Sequence, residues 1–202
     1  MEDLAAPPKS LSGEKPQRIV EAMRRSVARR GTAGSTFDHV AREAGVSRGL
    51  LHYYFGTKEQ LLVEAVRREC EVRMDMLERQ LSNAQTADDF IDLMAANLKE
   101  TVSSDPDFVT LVFELFSLSR RNSEIAAEYA QLLSRTRAQV AGVLATAQAQ
   151  GVLQLHAKPE AVAEILFSLA DGFSLRMLAE PDRDFSETIS AASTCVRVLL
   201  AD

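Results

Sequence analysis

Cysteine is scarce in this chain of 202 residues, which contains only Cys70 and Cys195. The two lie far apart, and neither belongs to a spacing typical of metal ligands, so no disulfide framework or zinc site is indicated. A reduced, cytoplasmic setting is expected for such a sequence. Redox chemistry is a weak hypothesis, because the default role of a cysteine on a helix is that of a small buried hydrophobic residue.

Long apolar runs are also missing, although hydrophobic residues make up 46% of the chain. No stretch approaches the roughly 20 residues that a bilayer-spanning helix requires. The acidic, proline-containing N-terminus does not have the pattern of a signal peptide. We therefore expect a globular protein without membrane association, built as one large or two small domains.

Signatures of catalysis are absent as well. The histidines His39, His52 and His156 are scattered, and His39 with Glu43 would supply only two ligands of a metal site. The sequence contains no nucleophile elbow, no glycine-rich phosphate loop and no CxxC pair. It therefore predicts neither an enzyme nor a bound metal or cofactor.

Two short helices joined by a glycine turn are predicted over residues 36–55. In the first helix, apolar side chains recur at i, i+3, i+4 and i+7 and so share one face; they are Phe37, Val40, Ala41 and Ala44. A box formed by Ser35 and Asp38 is expected to start this helix. Gly45 supplies the conformation that ends it, and Ser47 offers an oxygen to cap the next helix.

The second of these helices is expected to bury Leu51 and Phe55 and to expose its other face. That outer face suits a DNA major groove, since arginine bonds phosphates or guanine edges, leucine meets thymine methyl groups and glycine permits close backbone approach. Its residues are Arg48, Gly49, Leu50, His52 and Tyr53. The pattern predicts a helix-turn-helix and therefore DNA as the ligand.

Residues 35–62, STFDHVAREAGVSRGLLHYYFGTKEQLL, resemble the DNA-binding signature of TetR-type repressors. The resemblance implies nine helices, a DNA-binding head, a ligand pocket in the body and pairing through the last two helices. Together with the outer face, it marks as DNA-binding Ser35, Thr36, Ser47, Arg48, Gly49, Leu50, His52, Tyr53, Thr57 and Lys58. His52 stands where relatives usually have a DNA-contacting tyrosine, and Tyr53 beside it keeps an aromatic hydroxyl in reach.

The net charge of −6 is unevenly distributed. Residues 1–60 hold 10 basic and 7 acidic side chains, whereas residues 61–202 hold 13 basic and 22 acidic ones. A basic head on an acidic body concentrates attraction for phosphates where the motif lies. We accordingly expect a flexible tail over 1–13, a DNA-binding domain over 14–60 and a ligand-binding and dimerisation domain over 61–202.

The body is predicted to be helical throughout, which makes the fold all-α with about nine helices. Helix 4 is expected to run from the Thr57 box to about Leu81 with Val72 at a packing position. Further helix starts are indicated by Thr86, Asp105-Pro106, Asn122, Pro159 and the box Asp184 to Glu187. The helix over 106–120 is apolar nearly all round, so burial on all its sides is expected.

Part of this apolar surface is a candidate lining for a small-molecule cavity, as the family resemblance implies. The expected effector is small and largely apolar, and the candidate contacts are Met94, Asn97, Leu98, Val112, Leu115, Phe116, Tyr129, Leu133, Phe167 and Asp171. An ordinary core helix is the alternative. In that case the chain would be a DNA-associated structural or partner-binding protein of the same fold without ligand sensing.

The last two helices carry apolar residues on more than one side, so some of this surface is expected to meet a second copy. The candidate interface residues are Ile165, Leu169, Phe173, Arg176, Ile189, Ala192, Val196 and Leu199. A helix-turn-helix reads one half-site, and a two-fold pair reads a palindrome. The sequence therefore predicts a homodimeric transcription regulator, a repressor, released from a palindromic operator by a small molecule.

Overall fold

The computed structural model describes residues 11 and 13–201. Within that part the chain forms nine α-helices and no strand, which confirms the predicted all-α class. The helices are α1 (Glu14–Gly34), α2 (Phe37–Ala44), α3 (Arg48–Phe55), α4 (Lys58–Leu81), α5 (Ala87–Ser104), α6 (Pro106–Ser119), α7 (Ser123–Ala149), α8 (Pro159–Ala179) and α9 (Ser186–Leu200). None of these helices is long and apolar enough to cross a membrane.

The chain divides into two compact units, the first ending at Val66 and the second beginning at Arg67. Helix α4 contributes residues to both. The predicted assignment of DNA binding to residues 14–60 and of ligand binding and dimerisation to residues 61–202 stays a prediction. The flexible tail predicted over residues 1–13 falls, except for Leu11 and Gly13, outside the described residues.

The first unit packs α1, α2 and α3 around one apolar core. Helix α1 contributes Ile19, Met23 and Val27, which are fully buried. The predicted i, i+3, i+4, i+7 face of α2 and the predicted burial of Leu51 and Phe55 of α3 are confirmed. Burial of a leucine or isoleucine side chain contributes about 1.5–3 kcal/mol, so these faces fix how the three helices meet.

The second unit has its own core, formed mainly by α5, α7, α8 and α9. Phe90, Leu144, Val162 and Leu200, one from each of these helices, are fully buried and belong to one cluster. Helix α7 makes its most extensive helix–helix packing with α8. These four helices therefore hold the second unit together through side chains whose apolar period is visible in the sequence.

Most predicted helix starts of the second unit are confirmed. Thr86 starts α5 and forms a reciprocal capping box with Asp89. Asp105 starts α6, where its carboxylate accepts a hydrogen bond from the Phe108 N–H and Pro106 is the first helical residue. Asn122 caps α7. The predicted box at Asp184 and Glu187 is wrong. Helix α9 begins after Phe185 without a side-chain cap, because the Asp184 carboxylate instead accepts from the Ser186 N–H at 2.9 Å.

Two expectations about burial are corrected by the structure. Helix α6 is not buried on all sides: Val109, Leu111 and Leu115 are buried, but Phe116 is 50% exposed. Val72 of α4, predicted to pack, is 53% exposed. Apolar side chains favour burial, but the other helices of this chain cover only part of the apolar surface of α6 and α4.

Candidate nucleic-acid interface

Helix α2 begins one residue later than its sequence suggested. Thr36 has an extended backbone and its hydroxyl accepts from the His39 N–H at 3.3 Å, so Thr36, not Ser35, is the N-cap. Ser35 is fully buried and donates to the Gly31 carbonyl at 2.8 Å. The Ser35 side chain is therefore not at the surface, whereas Thr36 is exposed, and the DNA-binding role of both residues stays a prediction.

The turn between α2 and α3 depends on a left-handed glycine. Gly45 has φ 65° and ψ 39°, a region that a residue with a side chain enters only with strain. The Arg18 guanidinium donates a hydrogen bond to the Ala44 carbonyl at 2.6 Å. Ala44 is the last residue of α2, where carbonyl groups have no partner within the helix. Ser47 occupies the N-cap position of α3 but makes no capping hydrogen bond, which corrects its predicted role.

The predicted outer face of α3 lies at the surface of the first unit. Arg48, Gly49, His52 and Tyr53 are exposed and Leu50 is half-buried. The Tyr53 ring packs edge-on against Tyr54 with centroids 5.1 Å apart, leaving 55% of Tyr53 accessible. One short helix therefore combines a buried anchor with an outward set of cationic, aromatic and small residues.

Arg48 and His52 are held in place on this outer face. The Arg48 Nη1 lies 3.3 Å and 3.2 Å from the two carboxylate oxygens of Asp38, and its Nε lies 3.4 Å from His52 Nε2. His52 Nδ1 is 3.0 Å from the Gly56 carbonyl, and its ring packs edge-on against Phe37 at 4.7 Å. The sequence had placed Asp38 only in a helix-start box, so this pairing was missed.

The start of α4 adds two further predicted DNA-binding residues. Thr57 is exposed and its hydroxyl accepts from the Gln60 N–H at 3.1 Å, as its predicted capping box requires. Lys58 is half-buried and donates to the Thr32 carbonyl at 2.9 Å. An ammonium has three hydrogens, so this bond fixes the side chain while two donors remain for a phosphate.

Glu43 of α2 forms ion pairs with two arginines of α1. Its carboxylate accepts from Arg25 Nε at 3.0 Å and from Arg29 Nη2 at 2.5 Å. Arg25 also donates to Glu21 at 2.9 Å. Arg25 and Arg29 are therefore paired with carboxylates of the first unit itself.

The second unit contains an open concavity between α5, α8 and α9 with a volume of about 70 Å³. Of the ten predicted effector contacts, Met94 and Leu98 line it. Five predicted dimer residues also do so, namely Leu169, Phe173, Ile189, Ala192 and Val196. The remaining lining residues are Ile91, Ala95, Leu166, Ala170 and Ser193. The concavity is thus almost wholly apolar, and sequence reasoning had assigned its walls to two different functions.

The other predicted effector contacts are dispersed. Leu115 is buried in the core, Asn97, Val112, Tyr129 and Phe167 are half-buried, and Phe116 and Leu133 are 50% and 43% exposed. None of these residues lines the concavity, and their role as effector contacts stays a prediction. The predicted dimer residues Ile165 and Arg176 are exposed and Leu199 is half-buried, whereas Ile189 and Val196 are already buried within the chain.

Three titratable groups of the second unit interact with one another. Burial raises the pKa of the Cys70 thiol to about 12 and, together with the Asp171 charge, that of the Tyr129 phenol to about 12. Burial, and next Glu164, raise the pKa of the Asp171 carboxyl. Asp171 as a residue is exposed to solvent, so its carboxyl is only partly desolvated. Among the described residues no group of histidine, cysteine or acidic side chains could hold a metal ion.

Two family models match most of this chain. The model for bacterial regulatory proteins of the tetR family matches residues 19–65, which include α2 and α3. The model for the C-terminal part of BetI-type transcriptional repressors matches residues 92–200. The two matches cover the proposed nucleic-acid interface and most of the second unit respectively.

Individual relatives match either a short part or most of this chain. The HTH-type transcriptional regulator BetI of Agrobacterium fabrum is 47% identical over 49 residues, so the match spans only 24% of this chain and 24% of that protein. The HTH-type transcriptional regulator PksA of Bacillus subtilis is 26% identical over 87% of this chain and 85% of its own length.

Solved structures share the whole fold. A TetR-family transcriptional regulator from Mesorhizobium loti superposes with a TM-score of 0.77 and 17% identity, covering 96% of this chain and 100% of that one. A transcriptional regulator from Saccharomonospora viridis, solved in complex with choline, has a TM-score of 0.69 and 25% identity and covers 90% of this chain and 92% of its own.

Proposed function

Because this chain belongs to the tetR family of bacterial regulatory proteins, we propose that it represses transcription by placing α3 in the major groove of a palindromic operator. The chain is a transcriptional regulator, and members of its family bind DNA. The proposal adds the contacting residues, the pairing of two copies and release by a small, largely apolar molecule. None of these steps involves catalysis.

The observation that carries the proposal is the two-sided character of α3. Leu51 and Phe55 are buried, while Arg48, Gly49, His52 and Tyr53 face outward. A helix anchored in this way can enter a groove about 12 Å wide with its outer side chains against base edges. Thr36, Ser47, Thr57, Lys58 and Tyr53 are the proposed phosphate contacts, and Arg48 and Leu50 are the proposed base contacts.

A pair of two copies related by two-fold symmetry would match the symmetry of a palindromic operator. Two recognition helices bind successive major grooves when they are about 34–36 Å apart. We propose that α8 and α9 form the pairing surface, since Ile165, Leu175 and Val198 expose 40%, 52% and 67% of their side chains there. Exposed apolar residues on adjacent helices are typical of an interface between subunits.

The apolar concavity between α5, α8 and α9 supports ligand responsiveness and is the proposed effector site. The lining is almost wholly apolar and suits a small apolar molecule, of which about 70 Å³ can lie inside the concavity. A similar regulator binds choline, so choline is a reasonable first candidate to test beside apolar compounds. By reciprocity, an effector that weakens operator binding must itself be bound less tightly by the operator complex.

The DNA-binding part of the proposal is tested by selecting duplexes from a random-sequence library and titrating the selected duplex in a gel-shift assay. Replacing Tyr53 and Lys58 together by alanine should weaken binding at least about tenfold, because a charge-assisted contact contributes about 1.5–3 kcal/mol. Loss of Lys58 should also lower the slope of log K against log salt by about 0.9.

Lys99→Ala serves as the matched control, since it removes an exposed lysine from α5 of the second unit. It should leave both the affinity and the salt slope as they are in the wild type. Equal operator affinity for the wild type and the Tyr53→Ala, Lys58→Ala double variant would refute the proposed interface.

A further inference from the structure

We propose that Asp38 is a positioning residue that sets the base preference of this protein by fixing the guanidinium of Arg48. The inference rests on the proposed function, because it concerns how α3 reads DNA. Asp38 lies in the first turn of α2 and Arg48 at the start of α3, so their pairing joins the two helices of the motif across the turn.

The Asp38 carboxylate holds one end of the Arg48 guanidinium. Its two oxygens lie 3.3 Å and 3.2 Å from Arg48 Nη1. Both side chains are more than half exposed, at 59% and 58%, so this pair contributes little to the stability of the fold. Because the contact lies on the face that is proposed to meet DNA, we infer that it orients the arginine rather than stabilising the packing of the two helices.

His52 holds the other end of the same guanidinium. A carbonyl oxygen only accepts, so His52 Nδ1, at 3.0 Å from the Gly56 carbonyl, carries the imidazole proton. His52 Nε2 is then an acceptor, which matches the Arg48 Nε–H that faces it at 3.4 Å. The ring is itself fixed against the buried Phe37. Arg48 is therefore held between a carboxylate and an oriented imidazole.

This arrangement selects the part of Arg48 that meets DNA. With Nε directed at His52 and Nη1 directed at the two Asp38 oxygens, the terminal Nη2 is the guanidinium nitrogen that is left to meet DNA. Its hydrogens can be donated to the O6 or N7 acceptor of a guanine. An unrestrained arginine would instead exchange among phosphates, which attract it without regard to sequence.

Asp38 is also expected to weaken the binding of DNA in general. Its negative charge beside the proposed interface repels phosphates at every sequence, so it lowers general affinity for DNA. Removing that charge should raise or preserve binding to arbitrary duplexes while weakening discrimination for guanine. A residue that merely stabilised α2 would change binding to all sequences in the same direction.

The test compares base preferences of variants after selection from a random duplex library, followed by titration of the selected duplex and its single-base substitutions. For Asp38→Asn we expect guanine discrimination at the position read by Arg48 to fall about three- to tenfold, with unchanged or tighter binding to nonspecific duplex. Arg48→Lys should lose the same discrimination, and the Asp38→Asn, Arg48→Lys double variant should lose no more than either single variant.

Glu43→Gln is the matched control, because it removes the same charge from the same helix but from a carboxylate that pairs with Arg25 and Arg29. It should leave the base preference intact. Asp38→Glu keeps the charge and displaces the carboxylate, so it provides a second folded variant with an intermediate loss. An unchanged preference in Asp38→Asn, or the same change in Glu43→Gln, would overturn the role of Asp38. A wild-type protein that selects no sequence would instead overturn the proposed function.

Discussion

At the scale of the residue, Lys58 shows how one side chain serves the fold and the proposed interface together. A lysine in the first turn of a helix opposes the helix dipole, which is unfavourable without a compensating partner. In this chain the Thr32 carbonyl supplies that partner at 2.9 Å. The same bond holds the ammonium at the start of α4, so the proposed phosphate contact requires little loss of side-chain freedom.

Asp171 is a residue whose charge disfavours the folded state. Burial, and next Glu164, raise the pKa of its carboxyl above the ordinary 3.8. The folded chain therefore binds this proton more tightly than the unfolded chain, and the associated stability is present at low pH and lost as pH rises through the folded pKa. Asp171→Asn, which cannot ionise, should be more stable than the wild type near neutral pH.

The difference should shrink as the pH is lowered towards the ordinary pKa of an aspartate. Urea unfolding midpoints at several pH values between about 4 and 8 would measure it. Asp182→Asn, at an exposed position between α8 and α9, is the control and should follow the wild-type profile. A constant difference between Asp171→Asn and the wild type across this range would contradict the assignment.

At the scale of the element, glycine has opposite consequences in the turn and within a helix. Gly45→Ala should cost about 1–2 kcal/mol, because the left-handed conformation of Gly45 disfavours a side chain. Its new Cβ would also lie 2.9 Å from Arg18 Nη2, which caps α2. Gly142→Ala should stabilise by about 0.5–1 kcal/mol, since it lies inside α7 with nothing within 4 Å of the added Cβ.

Thermal unfolding followed by circular dichroism would measure both changes. The pair is informative because the chemical substitution is identical and only the local backbone differs. A stabilising effect of Gly45→Ala would mean that the turn does not require its left-handed conformation.

Helix positions were predictable from sequence because their signals are local. The caps at Thr86 and Asn122 and the glycine at position 45 act within a turn of backbone, and the apolar period of α2 fixes its inner face. The error at Ser35 arose because two adjacent hydroxyl residues both satisfy a cap pattern, and only the tertiary bonds of Ser35 to Gly31 and Ser26 distinguish them.

Surface assignments were less predictable because they depend on contacts between distant segments. Phe116 and Leu133 are as apolar as core residues, yet no helix of this chain covers them fully. Asp38 and Arg48 are ten positions apart on different helices, so neither periodicity nor a cap signal reveals their pairing. The residue set of α3 was predictable, whereas the orientation of its arginine required the structure.

At the scale of the whole molecule, the proposed pairing of two copies predicts a distinction between inner and outer residues of α8 and α9. Val196 is buried within its own chain and would report on folding if it were changed. Leu175→Glu and Val198→Glu alter exposed side chains and should leave the monomer folded. In a dimer each would bury a charge without a partner, at a cost of several kcal/mol.

Analytical ultracentrifugation at micromolar concentration would measure this effect. The wild type should sediment as a dimer, and the two glutamate variants as monomers with unchanged helical content. Val72→Glu places the same charge at a comparably exposed position on α4 and should remain dimeric. A monomeric wild type would exclude the proposed pairing.

The unequal surroundings of the two cysteines have a practical consequence. Alkylating reagents attack the thiolate form, and with a pKa of about 12 the Cys70 thiol is almost entirely protonated at neutral pH. Cys195 is exposed on α9. We therefore expect a maleimide dye or nitroxide spin label to react preferentially with Cys195, on a helix proposed to meet the second copy. Label-to-label distances could then be followed without any engineered cysteine.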